Sequence, residues 1–178
     1  IGFTVGTLCF QNKRSANFML GVCDIFQTFP SFVYLIPVMM LFGITDTSVL
    51  IAVIVYATIP ATRYTIEGLR SVPAGLHDAA TMSGVNKFQR LTKIEFPLAF
   101  PHMMLGINQT IVFALFMVII GAFIGTEDLG QYILKALSDK KGAGIGLTLG
   151  ICVAFIALIF DNLIRSWVEK RKKHLGID

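Results

Sequence analysis

The chain has 178 residues, of which 54% are hydrophobic and 15% charged, with a mean hydropathy of +0.72. This composition excludes an ordinary soluble domain and is typical of one integral membrane domain with several spans. The formal net charge is +4, but the basic residues lie in short clusters between apolar runs rather than on one face. That distribution indicates membrane topology and leaves nucleic-acid binding as a weak alternative, so we expect no nucleic-acid partner.

The first half of the chain alternates apolar runs with short polar segments. Ile1 to Phe10 is shorter than the roughly 20 residues that cross a membrane, so we interpret it as the end of a truncated first span. The second span runs from Phe18 to Phe42 and starts as a helix along the interface. The third runs from Val49 to Thr62, or on to Ile66, and Pro60 is expected to break it.

The second half of the chain holds two longer apolar runs. The fourth span runs from Pro97 to Ile124, and the fifth from Ala143 to Ile164. Residues 125–142 between them form an extracytoplasmic loop, in which the amphipathic segment Leu129 to Leu137 predicts a short helix. Residues 165–178 are a basic cytoplasmic tail. We therefore expect a single all-α integral membrane domain, residues 1–178, with five visible transmembrane helices.

Charge predicts the orientation of these spans. If residues 63–96, the Gln11 to Asn17 segment and the C-terminal tail are all cytoplasmic, the opposite face keeps three of the 15 basic residues. Those three are Lys135, Lys140 and Lys141. The positive-inside rule then predicts an N-out, C-in chain.

Polar and aromatic side chains within the spans are candidates for a solute pathway. Pro30 and Pro37 predict a break or kink in the second span. Aromatic side chains cluster around these prolines, namely Phe26, Phe29, Phe32 and Tyr34. They either line a pathway or pack against a neighbouring span, and packing is the commoner role. Asn108 and Gln109 in the fourth span have the same two alternatives, a pathway lining or hydrogen bonding between helices.

The sequence offers no constellation for catalysis, for a cofactor or for a metal. It has no Walker A pattern and not even one Gly-Lys pair. The histidines lack i, i+4 spacing, and neither the serines nor the carboxylates have the context of a nucleophile. The three cysteines lie in or beside apolar segments without CxxC spacing, which predicts buried packing. We expect a protein that is not an enzyme and binds no nucleotide, cofactor or metal.

A long polar segment precedes the fourth span and cannot lie in the membrane. Ser71 is predicted to cap a helix that has Pro73 in its first turn, and Gly84 to end that helix in a left-handed conformation. Asn86 with Gln89 resembles a capping box that starts a second short helix. Small side chains recur at helical spacing in the first helix, at Leu76, Ala79, Ala80 and Ser83. Such a face suits close docking to a partner protein, with an ordinary linker as the alternative.

The spacing of this segment resembles a known motif. Asp78-Ala79-Ala80, three residues, Gly84, nine residues and Ile94-Glu95-Phe96-Pro97 match the EAA loop, EAA-x3-G-x9-I-x-LP, of binding-protein-dependent ABC importer permeases. Asp replaces the first Glu and Phe replaces the Leu. The resemblance implies a type I ABC importer permease core, in which residues 63–96 form the coupling loop and one helix enters a cleft on an ATP-binding subunit. The coupling residues it implies are His77, Asp78, Ala79, Ala80, Ser83 and Gly84.

The same resemblance implies a set of partners and a location. The partners are two ATP-binding cassette subunits that hydrolyse ATP, a second permease copy forming a homodimer, an extracytoplasmic solute-binding protein and membrane lipid. The location is the bacterial inner membrane, crossed several times.

Three further stretches suggest a subfamily. Gln27 to Pro37, Gly106 to Thr110 and Asp128 to Gln131 resemble permeases for glycine betaine, proline betaine, choline and related quaternary ammonium solutes. The resemblance implies ATP-driven import of compatible solutes, with carnitine and trimethylamine N-oxide as alternative solutes. Aromatic faces suit a methylated ammonium through cation–π attraction. An ion-coupled secondary transporter is a different class of explanation, but we see neither an inverted repeat nor a set of intramembrane ionisable residues. A membrane scaffold that transports nothing is a third.

Overall fold

The computed structural model of the chain describes residues 1–125, 129–138 and 143–175. These residues contain helices and turns and no strand, which confirms the all-α prediction. In chain order the helices are α1 Gly2–Phe10, α2 Lys13–Thr28, α3 Phe32–Phe42, α4 Asp46–Arg70, α5 Ala74–Met82, α6 Lys87–Arg90, a π-helical turn Leu91–Glu95, α7 Phe96–Gly121, a 3-10 turn Ala122–Ile124, α8 Leu129–Ser138 and α9 Ala143–Leu175.

Within the described residues, three helical segments are long and apolar enough to cross a membrane: Asp46–Arg70, Lys87–Ile124 and Gly144–Lys173. A fourth span results if α2 and α3, which meet at 88°, are counted as one broken span. α1 has nine residues and is too short to cross by itself. These segments follow the order of the predicted second to fifth spans, and α1 occupies the position of the predicted first span.

Proline has different effects in different helices. The predicted break in the second span is confirmed at Pro30, which lies between α2 and α3 after an extended Phe29. The prediction of a break at Pro60 is wrong, because α4 continues through it to Arg70, and α3 likewise continues through Pro37. Pro60 is fully buried, so neighbouring helices hold the turn around it although one backbone hydrogen bond is lost.

α4 is the central helix and packs against α1, α2, α3 and α7. Glycine permits close approaches of α4 to both α1 and α7. A Cβ added to Gly6 of α1 would lie 2.6 Å from the Cβ of Thr65, and one added to Gly106 of α7 would lie 2.6 Å from the Cβ of Tyr64. Small residues that let backbones meet in this way are typical of helix contacts in membranes.

Several basic segments meet at one end of the bundle, which we call the basic end. Nη2 of Arg70 donates hydrogen bonds to the carbonyl oxygen of Lys13 at 3.3 Å and to Oδ1 of Asn17 at 2.7 Å. The end of α4 therefore lies beside the start of α2. The guanidinium of Arg171, near the end of α9, lies 5.9 Å from the ring centroid of Phe100 in the first turns of α7. This grouping agrees with the predicted orientation, in which these segments face the cytoplasm.

Segments outside the spans follow the predicted pattern with shifted boundaries. α8 occupies Leu129–Ser138, where the amphipathic pattern predicts a short helix, while residues 126–128 and 139–142 of the predicted 125–142 loop lie outside the described residues. The predicted 165–178 tail is helical as far as Leu175, as a continuation of α9, and residues 176–178 lie outside the description.

The close contact between α4 and α7 leads to a prediction about stability. We expect Gly106→Ala to destabilise the fold by about 1–3 kcal/mol, because the new methyl group overlaps the Tyr64 side chain. Thermal unfolding in detergent would show this as a lower midpoint. Gly21→Ala in α2 is the matched control, since a Cβ there meets nothing within 4 Å, and we expect its midpoint to equal or slightly exceed that of the wild type. Equal midpoints for the two variants would contradict the required close approach.

Candidate functional site

The predicted coupling helix is α5, and its start differs from the prediction. Pro73 occupies the N-cap of α5, whereas Ser71 ends α4. The hydroxyl of Ser71 donates a hydrogen bond to the carbonyl oxygen of Gly68 at 2.8 Å. The prediction that Ser71 caps α5 is therefore wrong, because its side chain is already used in the last turn of α4.

The predicted small face of α5 is partly buried against the rest of the chain and partly exposed. Of the nine residues of α5, all of which the structure describes, Ala80 alone is buried, with 4% exposure. Asp78 and Ala79 are exposed, and so is Ser83, whose hydroxyl donates to the carbonyl oxygen of Ala79 at 2.8 Å. Asp78 and Ala79 thus lie at the surface, whereas Ala80 packs inside the chain.

The turn after α5 follows the sequence prediction. Gly84 has a φ of 71°, which confirms the left-handed stop. Oδ1 of Asn86 accepts a hydrogen bond from the backbone N–H of Gln89 at 2.8 Å, and Oε1 of Gln89 accepts one from the N–H of Asn86 at 3.2 Å. The capping box is therefore confirmed. The prediction that this second helix is short is wrong, because α6 continues through the π-helical turn into α7.

A buried carboxylate that sequence reasoning missed joins α5 to the fourth span. The side chain of Glu95 is 2% exposed, and its Oε1 lies 3.1 Å from Nδ1 of His77 and 2.9 Å from Nε of Arg90. Glu95 follows Arg90 at i+5, a spacing that places two side chains on one face in a π-helical turn rather than in an α-helix. The available signal was a lone Glu between Ile94 and Phe96.

The predicted pathway aromatics include one core residue. Tyr34 is 7% exposed, and its ring centroid lies 5.0 Å from that of Tyr56, which stacks on Phe113 at 4.7 Å. The hydroxyl of Tyr34 donates to the carbonyl oxygen of Phe26, which satisfies a backbone acceptor in the last turn of α2. The contacts of Tyr34 favour the packing alternative for this residue. Sequence reasoning missed Tyr56 and Phe113.

The other three aromatic candidates keep exposed ring surface. Phe26, Phe29 and Phe32 are each about two-fifths exposed. Phe26 and Phe29 lie 5.8 Å apart between ring centroids, and Phe32 contacts Phe123 at 6.1 Å. They surround the break at Pro30, so this is where a solute could meet aromatic faces.

Asn108 and Gln109 occupy different environments. Asn108 is buried, and its Nδ2 donates to Oδ1 of Asp161 at 2.5 Å. The carboxylate of Asp161 also accepts a bifurcated hydrogen bond from Nε of Arg165, at 2.9 Å to Oδ1 and 2.8 Å to Oδ2. Asn108 thus connects α7 to α9, which favours its interhelical role. Gln109 is half-buried and remains a candidate for the pathway.

Arg63 makes a second polar connection within the bundle. Its Nη1 lies 2.5 Å from Oδ1 of Asp24 and 3.0 Å from Oε1 of Gln27, and its Nε lies 2.9 Å from Oε1 of Glu67. The cluster joins α2 to α4. We expected Arg63 to begin the coupling loop, but it lies within α4. The i, i+4 spacing of Arg63 and Glu67 was the signal that could have placed it on a helix.

Comparison with known proteins identifies the family. Residues 1–174 match the family described as binding-protein-dependent transport system inner membrane component. The chain belongs to this family. It is therefore a multi-pass component of the bacterial inner membrane.

Two curated relatives show what this permease resembles. It is 91% identical over 177 residues to the trimethylamine N-oxide transport system permease protein TmoV of Pelagibacter ubique (strain HTCC1062), an alignment that covers 99% of this chain and 25% of that protein. It is 36% identical over 166 residues to the glycine betaine/proline betaine transport system permease protein ProW of Salmonella typhimurium, covering 93% of this chain and 47% of that protein. The chain thus spans a quarter to a half of the length of these relatives.

A solved structure confirms the fold of the permease. The chain superimposes on one from the MetNI methionine ABC transporter, solved in inward-facing conformations, with a TM-score of 0.82 at 19% identity. The match covers 96% of this chain and 86% of that one. The likeness shows a type I importer permease fold, as the resemblance implied.

The turn between α5 and α6 leads to a prediction about the conformation of the coupling loop. We expect Gly84→Val to loosen this turn at a cost of about 1–2 kcal/mol, because L residues avoid positive φ, and Gly84→Asn to be tolerated better. Nothing lies within 4 Å of the Cβ position, so crowding does not affect the comparison. Limited proteolysis should cut Gly84→Val faster than Gly84→Asn. Identical cleavage rates would contradict the conformational requirement.

Proposed function

We propose that the chain is the membrane-spanning part of an ATP-driven importer for small methylated amine solutes, with trimethylamine N-oxide as the first candidate. The observation that carries this proposal is the 91% identity of 99% of the chain to a trimethylamine N-oxide transport permease. The resemblance of three sequence stretches to betaine permeases implies this solute as an alternative to glycine betaine and choline. The high sequence identity to that relative makes trimethylamine N-oxide the first candidate among these solutes.

The relatives name a coherent chemical class of solutes. Trimethylamine N-oxide, glycine betaine, proline betaine and carnitine each combine a fully substituted cationic nitrogen with an anionic oxygen. The exposed rings of Phe26, Phe29 and Phe32 offer faces that attract such a nitrogen while presenting no charge of their own. We propose that the solute passes these rings at the break between α2 and α3.

The permease requires partners to use ATP. We propose two ATP-binding cassette subunits, a second copy of the permease and an extracytoplasmic solute-binding protein. Asp78 and Ala79 on the exposed face of α5 would enter a cleft on one ATPase subunit, together with the turn at Gly84. Closure of the ATPase pair would then move the permease halves between inward-open and outward-open states.

The substrate is tested by uptake into proteoliposomes that contain the complete transporter. We expect ATP-dependent uptake with the highest kcat/KM for trimethylamine N-oxide, lower values for glycine betaine, choline and carnitine, and near-background uptake of proline, which lacks a methylated nitrogen. ATP hydrolysis should rise when the solute-binding protein and trimethylamine N-oxide are added together. Uptake that needs no ATP but disappears when an ion gradient is dissipated would contradict the proposal and favour a secondary transporter.

The docking role of α5 is tested by enlarging its exposed face. We expect Ala79→Trp to weaken ATPase binding at least about tenfold, or about 1.4 kcal/mol, because the added ring prevents close approach. Binding is measured by titration of the ATPase subunit onto the purified permease. Ala80→Trp would not be informative, since Ala80 is buried within the chain.

Ala74→Trp provides the matched control for this test. Ala74 is also an exposed alanine of α5, but five residues place it about 140° around the helix from Ala79. We expect it to weaken ATPase binding much less. Equal losses from the two variants would show that the Ala79 face has no special role in docking.

A further inference from the structure

We propose that Glu95 is a positioning residue that ties the coupling helix α5 to the fourth span, so that a displacement of α5 by the ATPase moves α7. The inference rests on the proposed function, because it takes α5 as the ATPase contact. It assigns a role to a residue outside the predicted coupling set.

Apolar packing holds α5 weakly. Ala80 is the one buried residue among the nine of this fully described helix, and Leu76 and Met82 are exposed, the latter by 90%. Little apolar surface is therefore removed from water when α5 sits in place. A specific polar contact is needed for α5 to transmit a displacement rather than pivot freely.

The contact between His77 and Glu95 meets this need. His77 is the fourth residue of α5, and its Nδ1 lies 3.1 Å from Oε1 of Glu95. The carboxylate is almost fully buried, and a buried carboxylate requires charged or hydrogen-bonding partners. His77 and Arg90 approach the same oxygen, so displacing either one leaves the carboxylate less compensated. Glu95 therefore resists separation of α5 from α6.

The helix that carries Glu95 leads directly into the membrane. α6, the π-helical turn and α7 form one continuous helical segment from Lys87 to Ile124. The N–H of Phe96 donates to the carbonyl oxygen of Leu91, the i, i+5 bond that brings Arg90 and Glu95 to one face, and such π-helical turns are frequent at functional sites. Further along, Asn108 connects this helix to α9 through Asp161. A displacement at Glu95 thus has a continuous route to two spans.

The decisive variant is Glu95→Gln in the complete transporter. Gln keeps the size of the side chain and removes its charge. We expect the variant to assemble with the ATPase and hydrolyse ATP in response to the solute-binding protein and trimethylamine N-oxide, but to transport about tenfold fewer solute molecules per ATP. Glu95→Asp, which keeps the charge, should recover part of the ratio. Glu169→Gln removes an exposed carboxylate from α9 and should leave the ratio unchanged.

A double-mutant cycle tests whether His77 acts through Glu95. His77→Ala should lower the ratio of uptake to hydrolysis in the wild-type background and have little further effect in Glu95→Gln. Because His77 lies on a weakly packed helix, this variant keeps the test available if Glu95→Gln does not fold. Additive effects of the two substitutions would overturn the proposed link.

Two other results would also overturn the inference. A normal ratio in Glu95→Gln would show that no displacement passes through this residue, and loss of ATPase binding in parallel with uptake would reduce Glu95 to a structural role. Failure of the proposed function is distinguishable, since it would appear as absent ATP-dependent uptake in the wild-type transporter itself.

Discussion

Close contact between α4 and its neighbours is the constraint on which the rest of the structure depends. In a membrane, lipid is as apolar as leucine, so helices associate through van der Waals contact between small residues and through polar links. Gly6 and Gly106 provide that contact at Thr65 and Tyr64, where any side chain would overlap. Because α4 is enclosed in this way, Pro60 remains within a continuous helix, and the end of α4 reaches the basic end beside α2.

Local features of the fold were predictable because each rests on a local rule. The length of apolar runs predicted the order of spans, the positive φ of Gly84 follows from its position after a helix, and the Asn86–Gln89 capping box needs no distant partner. The failures have different causes. Burial between helices holds Pro60 in α4, a tertiary effect that the residues on either side of it do not show. The hydroxyl of Ser71 bonds the carbonyl oxygen of Gly68 three residues earlier, a local bond that competes with capping of the next helix.

The candidate site was predictable in its position and only in part in its contacts. A spacing without gaps located α5 and Gly84, but the division between buried Ala80 and exposed Ala79 depends on how α5 lies against the chain. Tyr34 is a core residue because Tyr56 of α4 and Phe113 of α7 complete its surroundings. The proximity of Arg90 to Glu95 requires a π-helical turn, and periodicity at 3.6 residues places these two side chains on different faces.

Polar links and aromatic packing have different positions in the bundle. Tyr34 packs with Tyr56 and Phe113 in an apolar core, whereas polar side chains join α2 to α4 at Arg63 and α5 to the helical segment that leads into α7 at Glu95. An aromatic core loses contact area gradually when helices shift, but a close polar pair has a narrow range of favourable distances and angles. The end with these polar contacts therefore keeps helices in register with one another, and it is the end at which α5 projects from the bundle. A force applied there reaches α7 through a link of defined geometry, and α7 is the helix that also contacts α4 and α9.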